Sequence, residues 1–145
     1  MIFTPSFAQE LTLHYLESFP NLSNMILDDD LRLSILEKSG IFSNRLSISE
    51  PKVLMSSKEV LEMPKEITAG RRTTAYKYYG VSYMQHNLIF INVKKIPDQK
   101  ALDDTIAHEL VHLRFPYLSH GRRFNKLVRQ VLKGKTFPPY KKRKS

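Results

Sequence analysis

The apolar positions of this chain change period along its length, and each change predicts an element. Thr4-Pro5 supplies a capping threonine and a proline at the first helical position. Phe7, Leu11 and Tyr15 then recur every four residues, with Leu16 and Phe19 nearby, which predicts a helix to about Ser18 that Pro20 stops. A second helix is predicted from Asn24 or Asp28 to Lys38, with Leu31, Ile35 and Leu36 on one side and Gly40 as its C-terminal stop. Its Asp28-Asp29-Asp30 run suits the positive end of the helix dipole and lacks the spacing and glycine of a calcium loop. Between Arg45 and Met55 the pattern turns to alternation, Leu46 and Ile48 then Val53 and Met55, which reads as a strand interrupted or edged at Pro51. Ser57 to Met63 fits a short helix ending before Pro64, and residues 65–70 read as loop.

Two paired strands follow, Arg72 to Tyr83, rich in Thr and Tyr, and His86 to Val93, with the run Leu88-Ile89-Phe90-Ile91; residues 84–87 form the turn. Pro97-Asp98 opens a helix whose buried stripe is Leu102, Ile106, Leu110 and Leu113, and Pro116 ends it near Phe115. A last helix, Gly121 to about Leu132, gathers Arg122, Lys126, Arg129 and Lys133 on one side and Phe124, Leu127, Val128 and Val131 on the other. The expected fold is α+β: a compact single domain with helices packed on a small, mainly antiparallel sheet. Its expected parts are N-terminal helices over 1–40, the sheet region over 45–95 and two helices over 97–134, followed by a mobile basic tail over 135–145.

Composition narrows the class. A chain of 145 residues fits one domain, and 41% hydrophobic content with mixed charge excludes global disorder. No apolar run is long enough to span a bilayer, and Met1 to Pro5 lacks the basic and apolar regions of a secretory signal. The expected location is intracellular, in the cytoplasm or with the nucleoid or nucleus, without a membrane partner. There is no cysteine, which excludes disulfides, a thiol nucleophile and a cysteine-based zinc ribbon. The net charge of +9 is unevenly placed: residues 1–109 carry 12 basic and 14 acidic residues, whereas residues 110–145 carry 11 basic residues and no acidic one. That is the footprint of a polyanion partner passing near the candidate site. Lys141, Lys142, Arg143 and Lys144 in the tail read as a nucleic-acid arm or an import-like signal.

The candidate chemistry lies where the charge changes. His108 and His112 are four residues apart on a helix, so both imidazoles lie on one face and can share a metal ion, while Glu109 stands beside them as a general base for a water. A catalytic zinc takes three protein ligands and keeps one position open, and His120, beyond the helix break at Pro116 and beside a turn-forming Gly121, is the best third ligand. Tyr117 or a strand tyrosine is a candidate donor to a developing oxyanion. The strand of Leu88 to Val93 is a candidate edge for pairing with a peptide. Tyr76, Tyr78 and Tyr83 interleave with Arg71, Arg72 and Lys77 as a base-stacking strand would, although core filling is the better account of the tyrosines. His14 and His86 have no partner at ligand spacing.

The Tyr-rich strand, the apolar strand ending Ile91-Asn92, the helix from Asp104 through His108-Glu109-Leu110-Val111-His112 to Leu113, and His120-Gly121-Arg122-Arg123-Phe124 together resemble the SprT-like metalloproteases, the neighbourhood of Spartan and the WLM proteases. The resemblance covers roughly residues 70–130 and is carried by the HExxH and HGxxF motifs. It implies a zincin-like domain with Zn2+ held by His108, His112 and His120, Glu109 as general base, and cleavage of proteins crosslinked to DNA as the function. Other readings of the same residues are a nucleic-acid-binding module with a structural zinc, a small zinc peptidase unconnected with DNA, and a metallohydrolase of nucleic acid itself.

Overall fold

The computed structural model describes residues 25–68 and 78–139. The expected first helix, with His14, lies outside them, as do Arg71, Arg72, Tyr76, Lys77 and the cations Lys141, Lys142, Arg143 and Lys144. The described chain is α+β, with five α-helices around a three-stranded sheet. In order these are α1 (Asp29–Leu46), β1 (Lys52–Leu54), α2 (Ser57–Glu62), α3 (Lys65–Thr68), β2 (Gly80–Tyr83), β3 (Leu88–Ile91), α4 (Gln99–Arg114) and α5 (Arg122–Leu132). No helix among the described residues is long and apolar enough to cross a membrane.

The sheet order is β1-β3-β2, and the sheet is mixed rather than mainly antiparallel: β3 pairs antiparallel with β2 and parallel with β1. β3 is therefore the central strand, so it offers no open edge to a peptide, contrary to expectation. Its Leu88-Ile89-Phe90-Ile91 run is continuous because both faces are covered. Ile89 and Ile91 join Val53 in the larger core beneath α1, α4 and α5. Leu88 and Phe90 join Leu54, Val81 and Tyr83 in a smaller cluster with Val60 of α2, against which Ile67 of α3 packs. The turn between β2 and β3 is one 3-10 turn, Met84–His86, closed by Asn87 at φ 47°.

The second helix runs past its expected stop. Ile35, Ser39, Phe42, Ser43 and Leu46 are buried at helical spacing on both sides of Gly40, and that burial outweighs a mid-helix glycine penalty of about 1 kcal/mol. The helix opens on Asp28, whose Oδ1 accepts from Leu31 N–H at 2.8 Å. It closes on Ser47 in the left-handed region, where Ser47 N–H donates to Asn44 O and Ile48 N–H to Ser43 O, the double bond of a Schellman ending. Arg45 and Leu46 are consequently helical, and the expected 45–55 strand shrinks to β1. Lys65–Thr68 is a helical turn where loop was expected. α2 ends before Pro64 as expected.

α4 is the central helix. Asp98 caps it, accepting from Ala101 N–H at 2.8 Å, and it ends at Phe115 before Pro116. It packs against α1, α5, β2 and β3, so every residue from Thr105 to His112 is buried. Leu102, Ile106 and Leu110 are wholly buried, and Leu113 partly so.

The tail does not leave the domain at residue 135. Phe137 N–H donates to Arg45 O at 2.7 Å, Ser47 Oγ donates to Phe137 O, and Arg114 donates to Pro138 O at 3.0 Å. The Phe137 ring lies 5.9 Å from that of Phe115. Residues 135–139 thus strap the end of α1 to the end of α4. Phe137→Ala is expected to lower unfolding free energy by about 1–2 kcal/mol through lost half-buried apolar contact, measured by urea denaturation.

Candidate metal centre

Three elements build the site. α4 places His108 and His112 one turn apart, and their Nε2 atoms lie 3.1 Å from each other. The chain then leaves the helix at Phe115, turns through Pro116–Ser119 and returns His120, whose Nε2 lies 3.3 Å from that of His108 and 2.8 Å from that of His112. Gly121 makes the return possible: at φ 157° and ψ −166° it occupies backbone space that is essentially glycine's alone, and it also starts α5. α5 then brings Phe124 under the group, its ring 4.7, 4.4 and 5.2 Å from the rings of His108, His112 and His120. Phe124 is wholly buried and forms an apolar floor.

Three imidazole nitrogens converging on one point cannot satisfy one another by hydrogen bonds alone, because each Nε2 carries either one proton or one lone pair. The protonated forms are disfavoured. Burial holds His112 down to about 3, with His120 adding to the effect, and burial, then the neighbouring His112 and His120, holds His108 well below the ordinary imidazole range. His120, the outermost, is lowered by partial burial. Three imidazoles that converge through Nε2, each able to offer a lone pair in its neutral form, could hold a metal ion. Two of the three are buried and His120 is exposed, so the point is reachable from solvent on the His120 side.

Glu109 lies in the same helical turn, but its carboxyl group points to the sheet. Ser82 Oγ of β2 is 2.6 Å from Glu109 Oε1, and the side chain is completely buried. Burial raises the Glu109 carboxyl to about 8, with the Ser82 hydrogen bond acting the other way. Oε2 has no hydrogen-bond partner among the described residues, nor has His112 Nδ1. A cation held at the triad would favour the ionised carboxylate.

The structure thus brings together three of the expected residues, His108, His112 and His120, while Glu109, next to His108 in the chain, turns its carboxyl group to Ser82. Tyr117, in the turn before His120, is 95% exposed. Arg122, Lys126 and Arg129 of α5 and Lys133 at its C-terminal cap are exposed, while Phe124, Val128 and Val131 face the core. Sequence reasoning missed Ser82 and Phe124 as parts of the site. The signal for Ser82 was a lone hydroxyl inside a buried strand, and that for Phe124 its place four residues after His120.

The titrations act on stability in opposite directions in the metal-free protein. The histidines are lowered, so their contribution is complete above about pH 6.5 and is lost as pH falls toward their folded values. Glu109 is raised, so its contribution is complete below its usual 4.5 and is lost as pH rises toward about 8. Stability in excess chelator, followed by urea unfolding, should rise toward about pH 6.5 and then decline by at most about 1.4 kcal/mol per pH unit to about pH 8. Glu109→Gln should abolish the alkaline decline and leave the acid limb. No protein-family model, no curated protein and no solved structure matches the chain, so the chemistry of its own residues is what speaks for its function.

Proposed function

We propose that this chain is a zinc-dependent endopeptidase of the SprT-like kind, acting on proteins bound or crosslinked to DNA. The observation that carries the proposal is the convergence of His108, His112 and His120 through Nε2, with a carboxyl group on the residue after the first ligand. Imidazole nitrogens about 2.0–2.1 Å from a tetrahedral zinc stand about 3.3 Å apart, close to the spacings of this triad. When bound, zinc supplies a Lewis acid that polarises a carbonyl group and brings the pKa of a water toward about 7.

The chain's own residues supply the rest. His108 and His112 are fixed by a buried helix and set the direction of the centre. His120 completes it from a loop and leaves its outer side open. Phe124 keeps water from entering beneath. Glu109 is the proton carrier, taking a proton from the attacking water and delivering it to the leaving amine. The exposed cations of α5 begin two residues after His120, which supports a polyanion lying beside the centre.

One observation favours a second reading. Glu109 is completely buried, as suits a structural centre in a nucleic-acid-binding module, in which the carboxyl group is not needed for chemistry.

The deciding experiment is cleavage of a DNA-crosslinked protein, with and without DNA, by wild type and Glu109→Gln at matched zinc content. A loss of about 10²-fold or more in Glu109→Gln is expected, with zinc still bound. Equal activity, or none in either protein despite bound zinc, would turn the conclusion to the structural centre. Replacing Arg122, Lys126, Arg129 and Lys133 together by Gln should lower the slope of log affinity against log salt for duplex DNA by about 3–4, measured by fluorescence anisotropy.

A further inference from the structure

The inner face of β2 is chemically unlike the rest of the sheet. Side chains at alternate positions of a strand share a face, so Gly80 and Ser82 look toward α4 while Val81 and Tyr83 look into the smaller cluster. Opposite Gly80 and Ser82 on β3 stand Ile91 and Ile89, both in the larger core. An apolar pair would be the ordinary choice at such a place. Instead the strand carries no side chain at 80 and a hydroxyl at 82, and Glu109 is what meets both.

Gly80 leaves room for the carboxyl group. A Cβ at position 80 would stand 2.9 Å from Glu109 Cγ and from Oε2, and 3.0 Å from Thr105 Cγ2, with the crowding distributed along side chains that are themselves buried. Ser82 fixes the group's orientation. Its Oγ is within hydrogen-bond distance of two acceptors on the same residue, Glu109 Oε1 at 2.6 Å and the Glu109 main-chain oxygen at 3.0 Å.

A serine hydroxyl has one proton and can donate it to only one of them at full strength. The shorter of the two contacts, to Oε1, ties the carboxyl group to β2, and the longer one ties the same hydroxyl to the main chain of the helix that carries it.

We propose that Ser82 is the positioning residue for Glu109, holding its carboxyl group in one rotamer through the contact of Ser82 Oγ with Oε1, with Gly80 as the space that permits it. The proposal rests on the peptidase reading for its consequence in catalysis, whereas the hydrogen bond itself can be tested without activity.

The experiment uses the full chain loaded with zinc and labelled with 13C at glutamate Cδ, the Glu109 resonance being identified by its loss in Glu109→Gln. Ser82→Ala is expected to bind zinc at wild-type stoichiometry, to move the Glu109 resonance, and to lower kcat by about tenfold with KM changed by less than about twofold. Ser82→Thr, which keeps the hydroxyl, should restore the resonance and most of kcat. If threonine's extra methyl group prevents folding, Ser82→Cys, of nearly the same volume but a weak donor, should fall between alanine and wild type in both readouts. In a Glu109→Gln background Ser82→Ala should cost no further activity. A Glu109 resonance and a kcat that both stay at wild-type values in Ser82→Ala would overturn the proposal, as would an equal loss of kcat in both backgrounds. If the wild type cleaves nothing, the peptidase reading falls, and the resonance alone decides whether Ser82 positions Glu109.

Discussion

The structure is arranged around a polar turn of helix placed in an apolar core. From Thr105 to His112 α4 is buried on every side, and four of those eight residues carry polar groups that burial would penalise if left alone. They are answered from three places. Thr105 turns back on its own helix, its hydroxyl donating to Ala101 O at 2.7 Å. Glu109 is met by Ser82 of β2. His108 and His112 are met by each other and by His120. These needs place the surrounding elements: β2 must turn a small polar face to the helix, and the chain after Pro116 must come back. His112 Nδ1 and Glu109 Oε2 still meet no partner among the described residues, at a cost on the order of 1–3 kcal/mol for each such group. A core of aliphatic residues would have been more stable, and a turn that breaks the packing rule so consistently is where function is to be sought.

The three histidines are held unequally, and the inequality has a direction. His108 and His112 ride on a helix anchored by α1, α5 and the sheet, so their ring positions are set by the fold. His120 sits on the exposed return loop, fixed by Gly121 behind it and Phe124 beneath it. Phe124 and the core close the inner side, leaving the His120 side as the way in. Glu109 itself is wholly buried, in surroundings that water screens weakly, which strengthens the pull of any cation bound at the triad on its carboxyl group.

Much of this was legible in local pattern. Asp28 and Asp98 announce helix starts, Pro116 announces an end, and the four-residue spacing of His108 and His112 needs only the pitch of a helix to become a paired ligand set. The two-sided burial of β3 is written in its unbroken apolar run. What was not legible depends on residues distant in sequence. Gly40 looks like a stop until Phe42 and Leu46 find α4 and α5 to pack on. The parallel pairing of β1 with β3 joins Val53 to Ile89 across two helices and another strand, and no local periodicity encodes it. The strap at Phe137 was hidden because a Pro-Pro-Tyr segment leading into lysines reads as a tail, while its anchors, Arg45 and Arg114, lie far upstream. Ser82 takes its place in the site from Glu109, 27 positions away.

The charge of α5 bears on what stands near the centre. The N-terminal end of a helix is its positive end and favours acidic side chains, yet the first turn here carries Arg122 and Arg123 and no acidic residue. Arg32 pairs with Glu59 and Lys38 with Asp103, whereas no ion pair among the described residues involves α5. Exposed cations crowded at the wrong end of a dipole cost a few tenths of a kcal/mol each and repel a metal ion at the triad, so neither stability nor metal affinity accounts for them. Three neutral imidazoles are a strong enough ligand set to tolerate that field. An anion approaching the His120 side would gain from it, from the free N–H groups of the helix start as well as from the arginines. That gain is open to a phosphate group, and it is on this that the proposal of a polyanion beside the triad rests.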